Sequence, residues 1–387
     1  MLRSILTRTH ALLVVLCSAI FMLVLPISLA QAGLGIDLSK LSSGSILSGL
    51  RRTVTCREFV FTSGGLLSPV HSSFSVVSNS YQIPSSSLLV DDTGSTADYS
   101  SIQDAIEAAT DGGKVYVCPG HYYEQLSIQK DLSLLSLAGA DKTIIDASTS
   151  GDGSVINMAG SVTIRGFTIT GSRADYSCYY GGGIKVSGSS GQILNEVVIE
   201  NNKIIDNTAC KAGGLNLGGF DSSDGTHVDN TVTLRNNIIA GNYANTTNAG
   251  GIMLHCDNNI DTVIENNVFA DNGTTSGSGG IELVGTTCDV DIRNNIFYGN
   301  ISSSTQNVIA DYTSTATIEY NDTYGNSTNY TGGTGNINSD PDFVNEVDYE
   351  LDSTSPCVDA GDPSSDYDDT DGSTNDMGAY GGENGDW

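Results

Sequence analysis

Three groups of residues in this chain have the types and spacing for chemistry. The first is Lys185, His255 and Glu282. A carboxylate and an imidazole on one face can share general acid–base work, so Glu282 with His255, or Glu282 with Asp257, is a candidate pair. The second is a set of aromatic and acidic residues in two loops: Tyr176, Tyr179 and Tyr180, then Phe220, Asp221, Asp224 and His227, with Tyr243 further on. Aromatic rings beside polar groups stack on sugar rings, which makes a carbohydrate groove the functional reading. The competing reading is loops that pack their own aromatics against the body. The third is Asp366, Asp368, Asp369 and Asp371, followed by Gly372. Oxygen-rich loops of this kind hold calcium, although strict EF-hand spacing fails. The alternative is a solvated acidic turn.

These residues need a frame, and a repeat supplies it. Asn-Asn, a variable residue, two apolar or aromatic residues, one more residue and Asn recur along the chain. The second Asn of each copy falls at Asn202, Asn237, Asn267, Asn295 and Asn321, and the last at Asn207, Asn242, Asn272, Asn300 and Asn326. A period of about 20–50 residues with one apolar unit per copy means a solenoid. The runs are short and β-branched, which selects strands and predicts an all-β, three-sheet parallel β-helix of about 7–8 coils. Equivalent Asn side chains then bond up the stack as ladders. Ahead of the Asn pair stand Arg165, Glu200, Arg235, Glu265, Arg293 and Glu319, alternating in sign. Opposite charges on adjacent strands attract, so this column reads as a register device.

Gly pairs open another strand at Gly182, Gly213, Gly250 and Gly279. Side chains alternate in and out. Ile184, Val186, Leu215, Leu217, Ile252, Leu254, Ile281 and Leu283 point inward. Lys185, Asn216, Met253, Glu282 and Ile309 form one outer column, and Ser187, Gly218, His255, Val284 and Asp311 the next.

Cys178 and Cys210 are one coil apart, as are Cys256 and Cys288, and both pairs are expected to bridge. Of the remainder, Cys56–Cys118 with Cys357 free is favoured, because a Cys118–Cys357 bond requires the tail to fold back. No Cys-x-x-Cys spacing supports a metal reading.

Met1–Ala32 reads as a secretory signal: Arg3 and Arg8, an apolar run, Pro26, and Ala30-Gln31-Ala32. After its cleavage no integral membrane domain is expected, and the protein is placed outside the cell or on its surface. Residues 33–87 show no period and read as a Ser/Leu/Gly-rich leader or linker. The β-helix is assigned to 88–345, with an amphipathic capping helix at 100–110 whose capping box is Ser100 with Gln103. Residues 346–387 form an acidic C-terminal cap or tail. Net charge is −29, which excludes a nucleic-acid partner.

Ile102-Gln103-Asp104-Ala105-Ile106 and the stretch Gly112–Glu124, with its Gly-x-Tyr-x-Glu element, resemble the opening of pectin-lyase-like right-handed parallel β-helix proteins. Asp340-Pro341-Asp342-Phe343-Val344, Ser355–Gly361 and Asp376–Tyr380 are similar to the tail of bacterial choice-of-anchor surface proteins. The resemblance implies a site on the outer face of one sheet and a polysaccharide or cell-envelope glycan as partner. The motifs of the enzymes it embraces are missing from the repeats: Asn-Thr-Asp with Gly-His-Gly for polygalacturonases, Arg-Pro-Trp for pectin esterases, Asp-Pro-His for alginate epimerases. The expectation is a binding or adhesion module without catalysis. A polysaccharide lyase is the alternative.

Overall fold

The computed structural model describes residues 51–62, 73–93, 97–173, 180–187, 195–217, 219–220, 227–228, 230–255, 261–285, 289–313 and 315–385. The proposed signal segment lies outside these residues. Three parallel sheets carry the fold. The first has nine strands, from Leu88–Val90 to Thr317–Glu319. The second has eight, from Gly120–Tyr122 to Asp322–Tyr324, and the third seven, from Leu126–Ile128 to Ile309–Asp311. Each turn of the chain adds one strand to each sheet, which defines a parallel β-helix.

One element of the three-strand expectation changes. A fourth sheet joins Thr208–Lys211, Tyr243–Thr247, Gly273–Thr274 and Ile301–Ser302. These segments directly follow Asn207, Asn242, Asn272 and Asn300. Those Asn corners stack in register, so the residues after them meet their counterparts and pair.

The ladders explain that register. Asn267 Nδ2 donates to Leu234 O and Glu265 O at 2.9 Å and to Asn295 Oδ1 at 3.0 Å, while its own Oδ1 accepts Asn237 N at 3.0 Å. The same pattern runs through Asn202, Asn237, Asn295 and Asn321, and in parallel through Asn207, Asn242, Asn272, Asn300 and Asn326. Both ladders extend past the repeats, to Asn336 and Asn329. Buried amides would otherwise stand unsatisfied at every corner. Gly pairs answer a different need. A Cβ at Gly214 would stand 2.6 Å from the carbonyl oxygen of Gly251, so the coils pack backbone to backbone there.

The charge column is in register, Arg165 to Glu200 to Arg235 to Glu265 to Arg293 to Glu319. Its ion pairing centres on Glu200, which takes Arg235 at 2.9 Å and Arg165 at 3.7 Å. Arg293 turns instead to Asp291 and to Asp362 of the tail.

At the N-terminal end the helix is Ile102–Ala108, capped by Ser101 and not Ser100. Glu124, the last residue of the Gly-x-Tyr-x-Glu element, accepts the amides of Ile102 and Gln103 at 2.9 Å. Its carboxylate is a cap on the positive helix end. The leader also gains structure. Arg51–Thr62 and Ser73–Pro84 pair as a two-stranded sheet. Its cross-strand bonds join Thr53 to Gln82 and Thr55 to Ser80, which marks the strands as antiparallel. Cys56–Cys118 fastens this ribbon to the first coil, with Val54, Ile83 and Leu89 buried around it.

The tail differs most from expectation. Coil strands end at Tyr324, short of residue 345. The chain then returns along the outside of the second sheet, where Tyr349, Cys357, Met377 and Ala379 bury Ile238, Val268 and Ile296. The first Asn of each pair, in the left-handed region, holds it there. Asn236 Nδ2 donates to Ala379 O and Gly381 O, Asn266 Nδ2 to Asp376 O, and Asn201 Nδ2 to Asn384 O. Asn294 Oδ1 accepts the amide of Asp362. Lys203 Nζ, at 2.7 Å from Asp348 and 2.6 Å from Asp141, adds an ion pair.

Candidate functional site

The outer face of the third sheet presents one column across seven coils: Ser127, Asn157, Lys185, Asn216, Met253, Glu282 and Ala310. Ala310 takes the place expected for Ile309. Ile309 pairs with Ile281 and is buried, so the last strand is shifted by one residue and its faces exchange. For the same reason Asp311 pairs with Leu283 and leaves the column of His255 and Val284. Gly218 lies outside the described residues.

The column divides into two regions. In the first, Gln125, Ser127, Asp152, Ser154, Asn157 and Lys185 line an open trough of about 240 Å³. Ser187 Oγ donates to Asn157 Oδ1 at 2.8 Å, and Gln125 Nε2 to Gly151 O at 3.0 Å, so two of the trough's side chains are held by residues just outside it. In the second, Met253 and Glu282 are buried. Glu282 Oε1 accepts Asn248 Nδ2 at 2.9 Å, and burial pushes its carboxyl above the usual carboxylate range.

Lys185 and Glu282 are three strand spacings apart, about 14 Å at ~4.8 Å per strand. His255 lies diagonally from Glu282, its strand position opposite Val284, at a separation of about 7–8 Å between backbones.

The aromatic loop candidates fare unevenly. Tyr176, Tyr179, Asp221 and Asp224 lie outside the described residues, as does the side chain of Phe220. Tyr180 receives Lys211 Nζ at 3.1 Å on its hydroxyl and 4.9 Å from its ring centre. Tyr243 is exposed, and its ring fills the space a Cβ at Gly273 would take.

The acidic run does not converge. Asp369 accepts the amides of Asp376 and Gly382, and Asp371 accepts that of Ser373. Among the described residues no three Asp, Glu, His or Cys side chains group as a cation site. These two carboxylates are engaged in folding the tail.

Cys357 is free and buried, its thiol 3.4 Å from Asp322 Oδ2. Cys210 is disulfide-bonded, and its expected partner Cys178 lies outside the described residues, as do Cys256 and Cys288. Among the described residues no helix is long and apolar enough to cross a membrane.

Sheet order and register together make this a parallel β-helix. Among solved structures, a pectin methylesterase from Aspergillus niger aligns with a TM-score of 0.39 at 14% identity, over 72% of this chain and 94% of its own. Escherichia coli ybhc aligns with a TM-score of 0.38 at 11% identity, over 69% of this chain and 78% of its own. No protein-family model matches the sequence, and no curated protein does.

Proposed function

We propose that the protein is a secreted or cell-surface β-helix that binds polysaccharide without acting on it. The trough carries this reading. Six hydrogen-bonding side chains converge there from successive coils, at the regular spacing that suits a polymer of repeating sugars. The imidazole and carboxyl paired as acid–base candidates, His255 and Glu282, lie on later coils than the trough. The test is depletion of the full chain by immobilised polysaccharides, comparing wild type with Lys185→Ala and Asn157→Ala. Retention of wild type and loss by both variants supports the reading. Equal retention of all three removes it.

A second reading, a carbohydrate-active enzyme of the lyase type, is favoured by one observation. Glu282 is a buried carboxyl pushed upward, as a general acid must be. Release of unsaturated uronides from pectate, pectin or alginate, abolished in Glu282→Gln, would establish it in place of the first.

A further inference from the structure

The trough begins at Gln125, and just ahead of it the chain carries two exposed rings. His121 and Tyr123 stack with centroids 4.2 Å apart and planes within 16°. Tyr123 is 55% exposed, and neither ring belongs to the buried core. The pair is nonetheless held in place. His121 Nε2 lies 2.8 Å from Asp146 Oδ2, and Asp146 Oδ1 accepts Ser148 N at 2.7 Å. Burial raises the Asp146 carboxyl, but bonds from Ser148 and His121 prevail and hold it below the usual range.

Both chain neighbours of Tyr123 are anchored. Tyr122 is buried and donates its hydroxyl to Cys118 O at 2.9 Å, and Glu124 is locked to the helix N-terminus. Tyr123 is therefore an exposed ring on a rigid turn, with one face against His121 and the other outward. Its turn runs directly into Gln125, whose side chain reaches Gly151 on the turn that starts at Asp146. His121 stands on the second-sheet strand Gly120–Tyr122, and Tyr123 on the connection from that strand to the trough, so the ring pair adjoins the trough at the corner between the two sheets.

We propose that His121 and Tyr123 form a stacking subsite for an uncharged sugar ring, continuing the trough beyond Gln125. The proposal rests on the trough's being a glycan site. The outward face of Tyr123 takes the C–H face of a pyranose, where apolar contact and ring polarisation act together. Asp152 lines the trough, where its carboxylate accepts hydroxyls and offsets Lys185, so the trough itself carries no net positive charge to draw uronates. The net charge of −29 acts in the same direction.

The probes are soluble galactan, arabinan, a linear β-glucan and polygalacturonate, measured by affinity electrophoresis. Tyr123→Ala is expected to weaken binding of a neutral polymer about five- to tenfold, with Tyr123→Phe near wild type. Oligosaccharide from that polymer is expected to shift the His121 ring NMR signals. If Tyr123→Ala binds like wild type while Asn157→Ala loses affinity, the subsite is wrong and the trough stands. Tighter binding to polygalacturonate than to every neutral polymer overturns the uncharged-sugar assignment. If wild type binds none of the four, the trough reading and the subsite fall together.

Discussion

Asp322 provides a sharp test of how the tail is held. It is fully buried beneath the returning tail, and burial pushes its carboxyl from 3.8 up to about 6. Ser339 N donates to Oδ1 at 3.1 Å and the Cys357 thiol to Oδ2 at 3.4 Å, which lowers it only in part. Asp340 adds repulsion. A carboxyl raised on folding binds more protons folded than unfolded, so stability is fully present below pH ~4 and is lost as pH rises through about 6. A rise from 3.8 to about 6, at about 1.4 kcal/mol per pH unit, makes the ionised group cost about 3 kcal/mol at neutral pH. Asp322→Asn keeps an acceptor for Ser339 and removes the charge. In denaturant unfolding followed at pH 7.5, the variant is expected to gain up to about 3 kcal/mol, and the two proteins should converge near pH 4. Asp369, also raised to about 6 by burial, leaves a residual pH slope in the variant. A loss of stability in Asp322→Asn at pH 7.5 would mean that the bonds from Ser339 and Cys357 outweigh desolvation, and the reasoning would be refuted.

Other outcomes follow from the same contacts. Asn267→Ala orphans the carbonyls of Leu234 and Glu265 and the amide of Asn237, and is expected to cost at least about 3 kcal/mol in denaturant unfolding. A control substitution at an exposed position off the ladders, such as Thr331→Ala, should change little. Glu124→Ala removes the helix cap and should cost about 1–2 kcal/mol, with faster hydrogen exchange confined to 101–108. Replacing Cys56 and Cys118 by Ser opens a loop closed over 62 residues, and the loss is expected to reach about 4 kcal/mol in equilibrium unfolding. Lys203→Met leaves the coils intact and should make the tail more susceptible to limited proteolysis, since its ion pair to Asp348 is gone.

The coils were legible in the amino-acid order because a solenoid is nearly one-dimensional. Each repeat meets only its neighbours, so what Asn267 bonds to lies one period away, at Asn237 and Asn295. Period, in–out alternation and charge register all follow from that local rule. The last strand slipped because the repeat decays there, and one residue's error exchanges the faces of Ile309 and Ala310. The first Asn of each pair looked like half of a corner motif. Its bond to the tail spans 143 residues at Asn236, and no periodicity carries such a contact. The ribbon at 51–62 and 73–84 was hidden for a related reason: it forms one isolated pairing, fixed by Cys56 and the buried surface of Leu89. Glu124 was visible as a motif residue, but its work as a cap depends on where the helix lies. The trough likewise exists only when coils stack, because Gln125, Asp152 and Lys185 belong to three successive turns of the chain. Sequence alone determined the repeating unit and its register. Tertiary structure decided what covers the repeat, what remains open on its outer face, and which acidic residues are consumed in folding.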